Sequence, residues 1–176
     1  MKYVLLIFTA AMIMCTSCST PEQKSEKSFE IEKLGYTVGP CTWEEWQKTA
    51  AWSDYEASDY KPTAPKLLNI IVNDEVSFIL ISAAWCPDCA EEVPRIYKLF
   101  KEAGISEDKI ALYGVDTYKN EPSGTARKYN IERVPTLIVL KNGEEVGRII
   151  EHPEKNWTES ITDALVDETQ VIEIKE

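Results

Sequence analysis

Along this chain the spacing of apolar positions changes rhythm repeatedly, and each rhythm implies an element. Tyr3 to Met14 is an apolar run behind one positive charge, Lys2, and is shorter than the roughly 20 residues a helix needs to cross a bilayer. From Ser19 to about Glu32 the chain is polar and charged without periodicity, which reads as a flexible tether. Turn residues cluster from Gly35 to Pro40. Thr42 and Glu45 then have the spacing of a capping box, so a helix is expected from there to about Ala51, with Trp43, Trp46 and Ala50 on one face. Trp52, Tyr55 and Tyr60 extend the aromatic stretch toward Pro62.

Beyond Pro65 the rhythm alternates. Lys66 to Asn73 is spaced as a helix through Leu67, Leu68, Ile71 and Val72, and Val76 to Ala83 is a β-branched, nearly continuous apolar run typical of a buried strand. Pro87 to Ala103 returns to helical spacing through Ala90, Val93, Ile96, Tyr97, Phe100 and Ala103. Pro87 suits its first position, and Pro94 should kink it. Ile110 to Val115 is a strand and Thr125 to Tyr129 a short helix. Thr136 to Leu140 and Glu145 to Ile150 form a hairpin around Lys141-Asn142-Gly143, and Trp157 to Val166 closes the pattern as a helix. A βαβ unit followed by a hairpin and a helix predicts an α/β architecture, a central mixed sheet flanked by helices, with an N-terminal helical extension.

These segments divide the chain into a signal peptide (1–17), a flexible tether (18–40), an aromatic-rich extension (41–64), the α/β domain (65–168) and a C-terminal tail (169–176). At 44% hydrophobic and 28% charged residues the composition is that of a globular protein. The net charge of −11, with no basic cluster, removes the electrostatic footprint of a nucleic-acid binder. Cys15-Thr16-Ser17-Cys18-Ser19 after the apolar run resembles a bacterial lipoprotein signal. Cys18 is the expected lipidation site because small Ser17 precedes it, whereas bulky Met14 precedes Cys15. Cys15 itself stands where that signal usually has an aliphatic residue, and an ordinary secretory signal cut nearby is the alternative. Either places the protein outside the cytosol. The lipoprotein reading anchors it by lipid alone to the bacterial cell envelope, facing the periplasm or exterior.

Removing the signal region leaves Cys41, Cys86 and Cys89, which is one close pair and a separate thiol rather than a disulfide framework. Trp85-Cys86-Pro87-Asp88-Cys89 lies at the strand-to-helix junction. There the first sulfur meets unpaired backbone N–H groups and the helix dipole, both of which favour a thiolate, and the second lies one turn on. A zinc half-site or an inert disulfide would use the same pair, but no second Cys/His pair accompanies it.

Together with Pro94 five residues after Cys89, and with Val134-Pro135-Thr136 ahead of an Asn-Gly hairpin, this motif resembles the thioredoxin superfamily over about Pro65 to Val166. The resemblance implies a thioredoxin fold and roles residue by residue. Cys86 would be the nucleophile and Cys89 the resolving thiol. Pro135 would be a cis-proline, with Val134 offering backbone hydrogen bonds to an extended substrate segment, and Trp85 would wall the sulfurs. Pro87 and Asp88 complete the motif. Three positions depart from the family pattern. Leu80 stands where an aspartate is usually buried, Leu112 where its lysine companion lies, and Glu151 where a glycine adjoins the cis-proline. Glu151 and Asp88 should therefore place negative charge near the sulfurs and make Cys86 less acidic than in oxidant relatives, which favours a reductase.

The expectation is a thiol–disulfide oxidoreductase, in the reducing direction, acting on protein thiols and disulfides. The Cys86–Cys89 pair would carry the electrons with no organic cofactor or metal, and a membrane electron donor would recharge it. An oxidase or isomerase is the alternative within that class. A thioredoxin-like binding or Cu(I)-handling lipoprotein is the alternative outside it. His152, the only histidine, is either a proton donor near the site or an exposed loop residue, the latter favoured. Cys41 is read as a buried, inert thiol, and the aromatic extension as packing rather than a ligand platform.

Overall fold

The structure, a computed structural model, describes residues 37–50, 52, 56–73 and 75–166. The signal region, Cys18, the tether up to residue 36 and the tail of 169–176 lie outside the described residues. In chain order the elements are β1 (Gly39–Cys41), α1 (Trp43–Ala50), α2 (Pro65–Ile71), β2 (Val76–Ser82), α3 (Pro87–Ala103), β3 (Ile110–Gly114), α4 (Thr125–Lys128), β4 (Thr136–Lys141), β5 (Glu144–Ile150) and α5 (Trp157–Leu165). The expected boundaries hold to within two residues for every element anticipated from periodicity.

Local chemistry explains the clearest of them. At the start of α1 Thr42 and Glu45 exchange bonds, Glu45 N–H to Thr42 Oγ1 at 3.2 Å and Thr42 N–H to Glu45 Oε2 at 2.8 Å. Asn142 and Gly143 both take the left-handed backbone, φ 53° and 79°, that a two-residue hairpin turn requires between β4 and β5.

The five strands form one mixed sheet in the order β1-β3-β2-β4-β5, parallel between β2 and β3 and antiparallel elsewhere. β2 is central, which is why its run carries almost no polar residue: Phe78, Leu80 and Ile81 are all buried. Each such side chain contributes about 1.5–3 kcal/mol by leaving water. α3 covers the sheet through Cys89, Val93, Ile96, Leu99 and Phe100, with Phe100 against Phe78 at a ring separation of 4.9 Å. α5 lies on β5 so closely that a Cβ at Gly147 would come within 2.7 Å of Ala164 Cβ.

Two expectations are corrected. Residues 39–40 belong to an edge strand rather than to a tether. The sequence Gly39-Pro40-Cys41 has no strand rhythm of its own, and its pairing with Gly114, Tyr113 and Leu112 is supplied by the fold. Gly114 permits this approach, because a Cβ there would press on the Thr37 carbonyl and come within 2.9 Å of the Trp46 ring. The buried face of α3 includes Leu99 and Glu92, while Ala90 and Tyr97 are only partly covered. Tyr97 packs instead on Trp43 at 5.1 Å, and Trp43 and Trp46 are buried in the core with the partly buried Trp52 and Tyr60 packed against it, while Tyr55 lies outside the described residues.

Candidate functional site

The carboxyl end of β2 delivers the chain through Ala83-Ala84-Trp85 into α3, and Cys86 caps that helix. Its sulfur accepts the Cys89 backbone N–H at 3.4 Å, while its own S–H donates to the Val134 carbonyl at 3.2 Å. Val134 precedes Pro135 across a cis peptide bond at the entrance to β4. The structure therefore brings Cys86, Cys89, Val134 and Pro135 together although 48 residues separate Cys86 from Val134. Pro87 occupies the first helical turn, and Asp88 faces outward from it. Trp85 is half-buried beside them, its indole N–H donating to the Val115 carbonyl at 3.2 Å and its ring facing Lys119 Nζ at 5.7 Å.

The two thiols differ in character. Cys86 is 6% exposed and Cys89 is fully enclosed, so Cys86 is the sulfur nearer to solvent. A hydrogen bond from the Cys89 thiol leads in pulling Cys86 down from 9.0 to about 6. Burial opposes it, the backbone N–H groups of Cys89 and Asp88 assist, and the Asp88 carboxylate pushes back least. Cys89 moves the other way, raised first by burial and then by its bond to Cys86. Its sulfur accepts the Ala83 N–H at 3.4 Å.

The expected carboxylate opposition to the Cys86 thiolate is thus outweighed. Glu151 does not direct its charge at the sulfurs: its carboxylate pairs with Arg133 at 2.8 Å, and its backbone N–H donates to the Pro135 carbonyl at 2.7 Å. It takes the left-handed backbone, φ 60°, at the position where glycine was expected. A groove of about 480 Å³ opens on this side, lined by Ile131, Arg133, Thr136, Arg148, Ile150 and Glu151. Leu80 and Leu112 are register partners across β2 and β3 and both are buried, so hydrocarbon fills that place.

Sequence reasoning missed Glu92. Its side chain is only 4% exposed, accepting Trp157 Nε1–H at 2.7 Å, Arg95 at 2.7 Å and His152 Nδ1 at 3.2 Å. The signal was available: Glu92 falls three residues after Cys89, in the apolar stripe of α3. His152 is the half-exposed loop residue expected, and its ring engages Glu92. It also lies 3.8 Å from Asp88, and its pKa is raised, chiefly by the Glu92 hydrogen bond. Cys41 is half-buried against the Leu112 carbonyl at 3.7 Å, and burial, with help from Glu45, pushes it up to about 12. Among the described residues no group of three or more metal-ligating side chains gathers.

Fold and site together define a class: proteins in which a Cys-x-x-Cys pair opens a helix behind a parallel strand and faces an X-Pro bond at the start of an antiparallel one. The family model described as Thioredoxin matches residues 62–164, and the chain belongs to that family, with its mixed sheet and flanking helices forming the thioredoxin fold. Thioredoxin from Bacillus subtilis is 39% identical over 64 residues, 36% of this chain and 57% of that protein. Thioredoxin from Staphylococcus epidermidis is 34% identical over 89 residues, 50% of this chain and 81% of that one. The chloroplastic M-type thioredoxin of Spinacia oleracea is 40% identical over 80 residues, 45% of this chain and 41% of its own length. This chain thus spans about half the length of the spinach and Bacillus relatives. The solved thioredoxin of Fasciola hepatica aligns with a TM-score of 0.40 at 28% identity, over 56% of this chain and 88% of that one.

Proposed function

We propose that this protein is a thiol–disulfide oxidoreductase that reduces protein disulfides through Cys86 and Cys89. The observation that carries the reading is geometric: Cys86 caps α3, with its sulfur accepting the Cys89 N–H at 3.4 Å and lying 3.2 Å from the Val134 carbonyl beside the cis Pro135 bond, while Cys89 is enclosed behind it. At neutral pH Cys86 is mostly thiolate. It attacks one sulfur of a substrate disulfide, forming a mixed disulfide and expelling the other sulfur as a thiolate. Cys89 then attacks the Cys86 sulfur, the Cys86–Cys89 disulfide forms, and the second substrate thiol leaves. Two electrons pass from the dithiol to the substrate, and the reaction needs no organic cofactor or metal. Val134 and Pro135, with the groove beside them, hold an extended substrate segment, and Trp85 walls the sulfurs.

The reducing direction is part of the proposal, and the size of the Cys86 shift is compatible with it. Thiols of Cys-x-x-Cys motifs span about 3.5 in strong oxidants to about 7 in reductants, and a value of about 6 lies toward the reducing end. The sequence ahead of the domain supports a lipid anchor at Cys18 and a location in the cell envelope, where an unidentified membrane electron donor would restore the dithiol. Insulin disulfide reduction driven by dithiothreitol should be present in wild type and lost in Cys86→Ser. The pair should equilibrate with glutathione at a potential below about −220 mV, and a value near −120 mV would assign an oxidase instead. Membrane fractionation of Cys18→Ala tests the anchor, which predicts release of the variant.

A further inference from the structure

Ser82 is the last residue of β2, fully buried, and its hydroxyl finds no hydrogen-bond partner among the described residues. An unpaired buried hydroxyl carries a desolvation penalty, so its retention needs a reason. The neighbouring Ala83 N–H donates to Cys89 Sγ at 3.4 Å, which sets that sulfur against the end of β2. Leu80 and Leu112 fill the adjoining register pair with hydrocarbon, so no carboxylate from those positions reaches Cys89. We infer that the Ser82 hydroxyl, with the Ala83 N–H, is the hydrogen-bond donor that holds Cys89 as a thiolate while it resolves the mixed disulfide on Cys86.

The inference rests on the dithiol reading above and concerns its second step. While Cys86 is ionised it engages the Cys89 thiol and opposes the loss of its proton. Once Cys86 is joined to substrate that charge is gone. The substrate thiolate expelled in the first step takes up the Cys89 proton, directly or through solvent. The Cys89 thiolate that remains accepts from Ser82 O–H and Ala83 N–H, then attacks Cys86 Sγ. The Cys86–Cys89 bond forms, the Cys86–substrate bond breaks, and the second substrate sulfur leaves with the electron pair. Ser82 thereby bonds Cys89 more strongly in the reacting state than at rest, the condition under which an interaction raises a rate rather than a resting affinity. The Ser82 hydroxyl also favours the ionised Cys89 sulfur in the resting protein.

The test is a single-turnover reaction of the reduced full chain with oxidised glutathione, acid-quenched at intervals. Peptide mass mapping follows the Cys86–glutathione adduct and the Cys86–Cys89 disulfide. Ser82→Ala should form the adduct at the wild-type rate, to within about twofold, but convert it about tenfold or more slowly, the worth of one hydrogen bond to an ionised sulfur. Ser82→Thr, which keeps the hydroxyl, should resolve within about threefold of wild type, whereas isosteric Ser82→Val should be as slow as alanine. That pair decides the matter if the alanine variant does not fold. In urea Ser82→Ala should be at least as stable as wild type, which a merely structural serine would not allow. Wild-type resolution in Ser82→Ala, or equal slowing in the threonine and valine variants, overturns the assignment. A wild type that never forms an adduct at Cys86 overturns the dithiol reading itself.

Discussion

Removing the buried carboxylate of Glu92 is expected to destabilise the protein by about 2–3 kcal/mol, nearly all of it through one hydrogen bond. Trp157 is 1% exposed, and its indole N–H donates to Glu92 Oε2 at 2.7 Å. In Glu92→Ala that donor is stranded in the core, and the bond lost is charge-assisted, the stronger kind. Arg95 and His152 add little to the loss. Both reach solvent, with side chains 35% and 52% exposed, and Arg95 keeps Glu91 at 2.7 Å. Glu92→Gln retains an acceptor for Trp157 and should lose only about 1 kcal/mol. Urea unfolding followed by circular dichroism and tryptophan fluorescence reads the difference. With a slope of about 1–3 kcal/mol per molar, the alanine midpoint should fall by roughly 1–2 M. Trp157→Phe in the Glu92→Ala background should cost much less than in wild type, giving a coupling energy of at least about 1 kcal/mol. An alanine variant within about 0.5 kcal/mol of wild type, or additive mutations, would refute the assignment of the energy to this bond.

Glu151→Gly should be at least as stable as wild type. The left-handed backbone at φ 60° strains glutamate by about 1 kcal/mol or more, and the Arg133 pair lost in exchange is an exposed one. A clear drop in urea midpoint would show that the pair dominates. His152 has a raised pKa, so its stabilisation is complete below the unfolded value of about 6.5 and fades as pH climbs through the folded one. The urea midpoint of His152→Gln should accordingly trail wild type most near pH 5.5 and converge with it by about pH 9, and a gap that widens with pH would contradict the pairing with Glu92. Asp88→Asn removes the carboxylate that opposes the Cys86 thiolate, so ultraviolet titration should find Cys86 below about 6 in the variant, and an upward shift would mean that Asp88 acts by some other route.

What could be read from sequence was set by range. β2 announced itself because a central strand is buried on both faces, and the hairpin because Asn142-Gly143 meets a backbone requirement within four residues. The dithiol was legible for the same reason, since a helix N-terminus and two cysteines one turn apart form a local device. The elements missed are those whose stability is borrowed. Gly39–Cys41 is a strand only because β3 lends it partners, and Glu151 is neutralised by Arg133 from 18 residues away. Glu92 lies between these cases. Its place in the Cys89–Val93–Ile96 stripe was visible, but its partners Trp157 and His152 come from residues more than 55 positions on, so periodicity marked the burial without supplying the reason. The same division separates the two sulfurs. Cys86 draws its acidity from its own helix turn, which a reader of the sequence can anticipate. Cys89 is set against the end of β2, and there the apolar run concealed the buried hydroxyl of Ser82. Polar residues that interrupt an otherwise continuous apolar pattern are therefore the positions at which to look for chemistry the pattern does not explain.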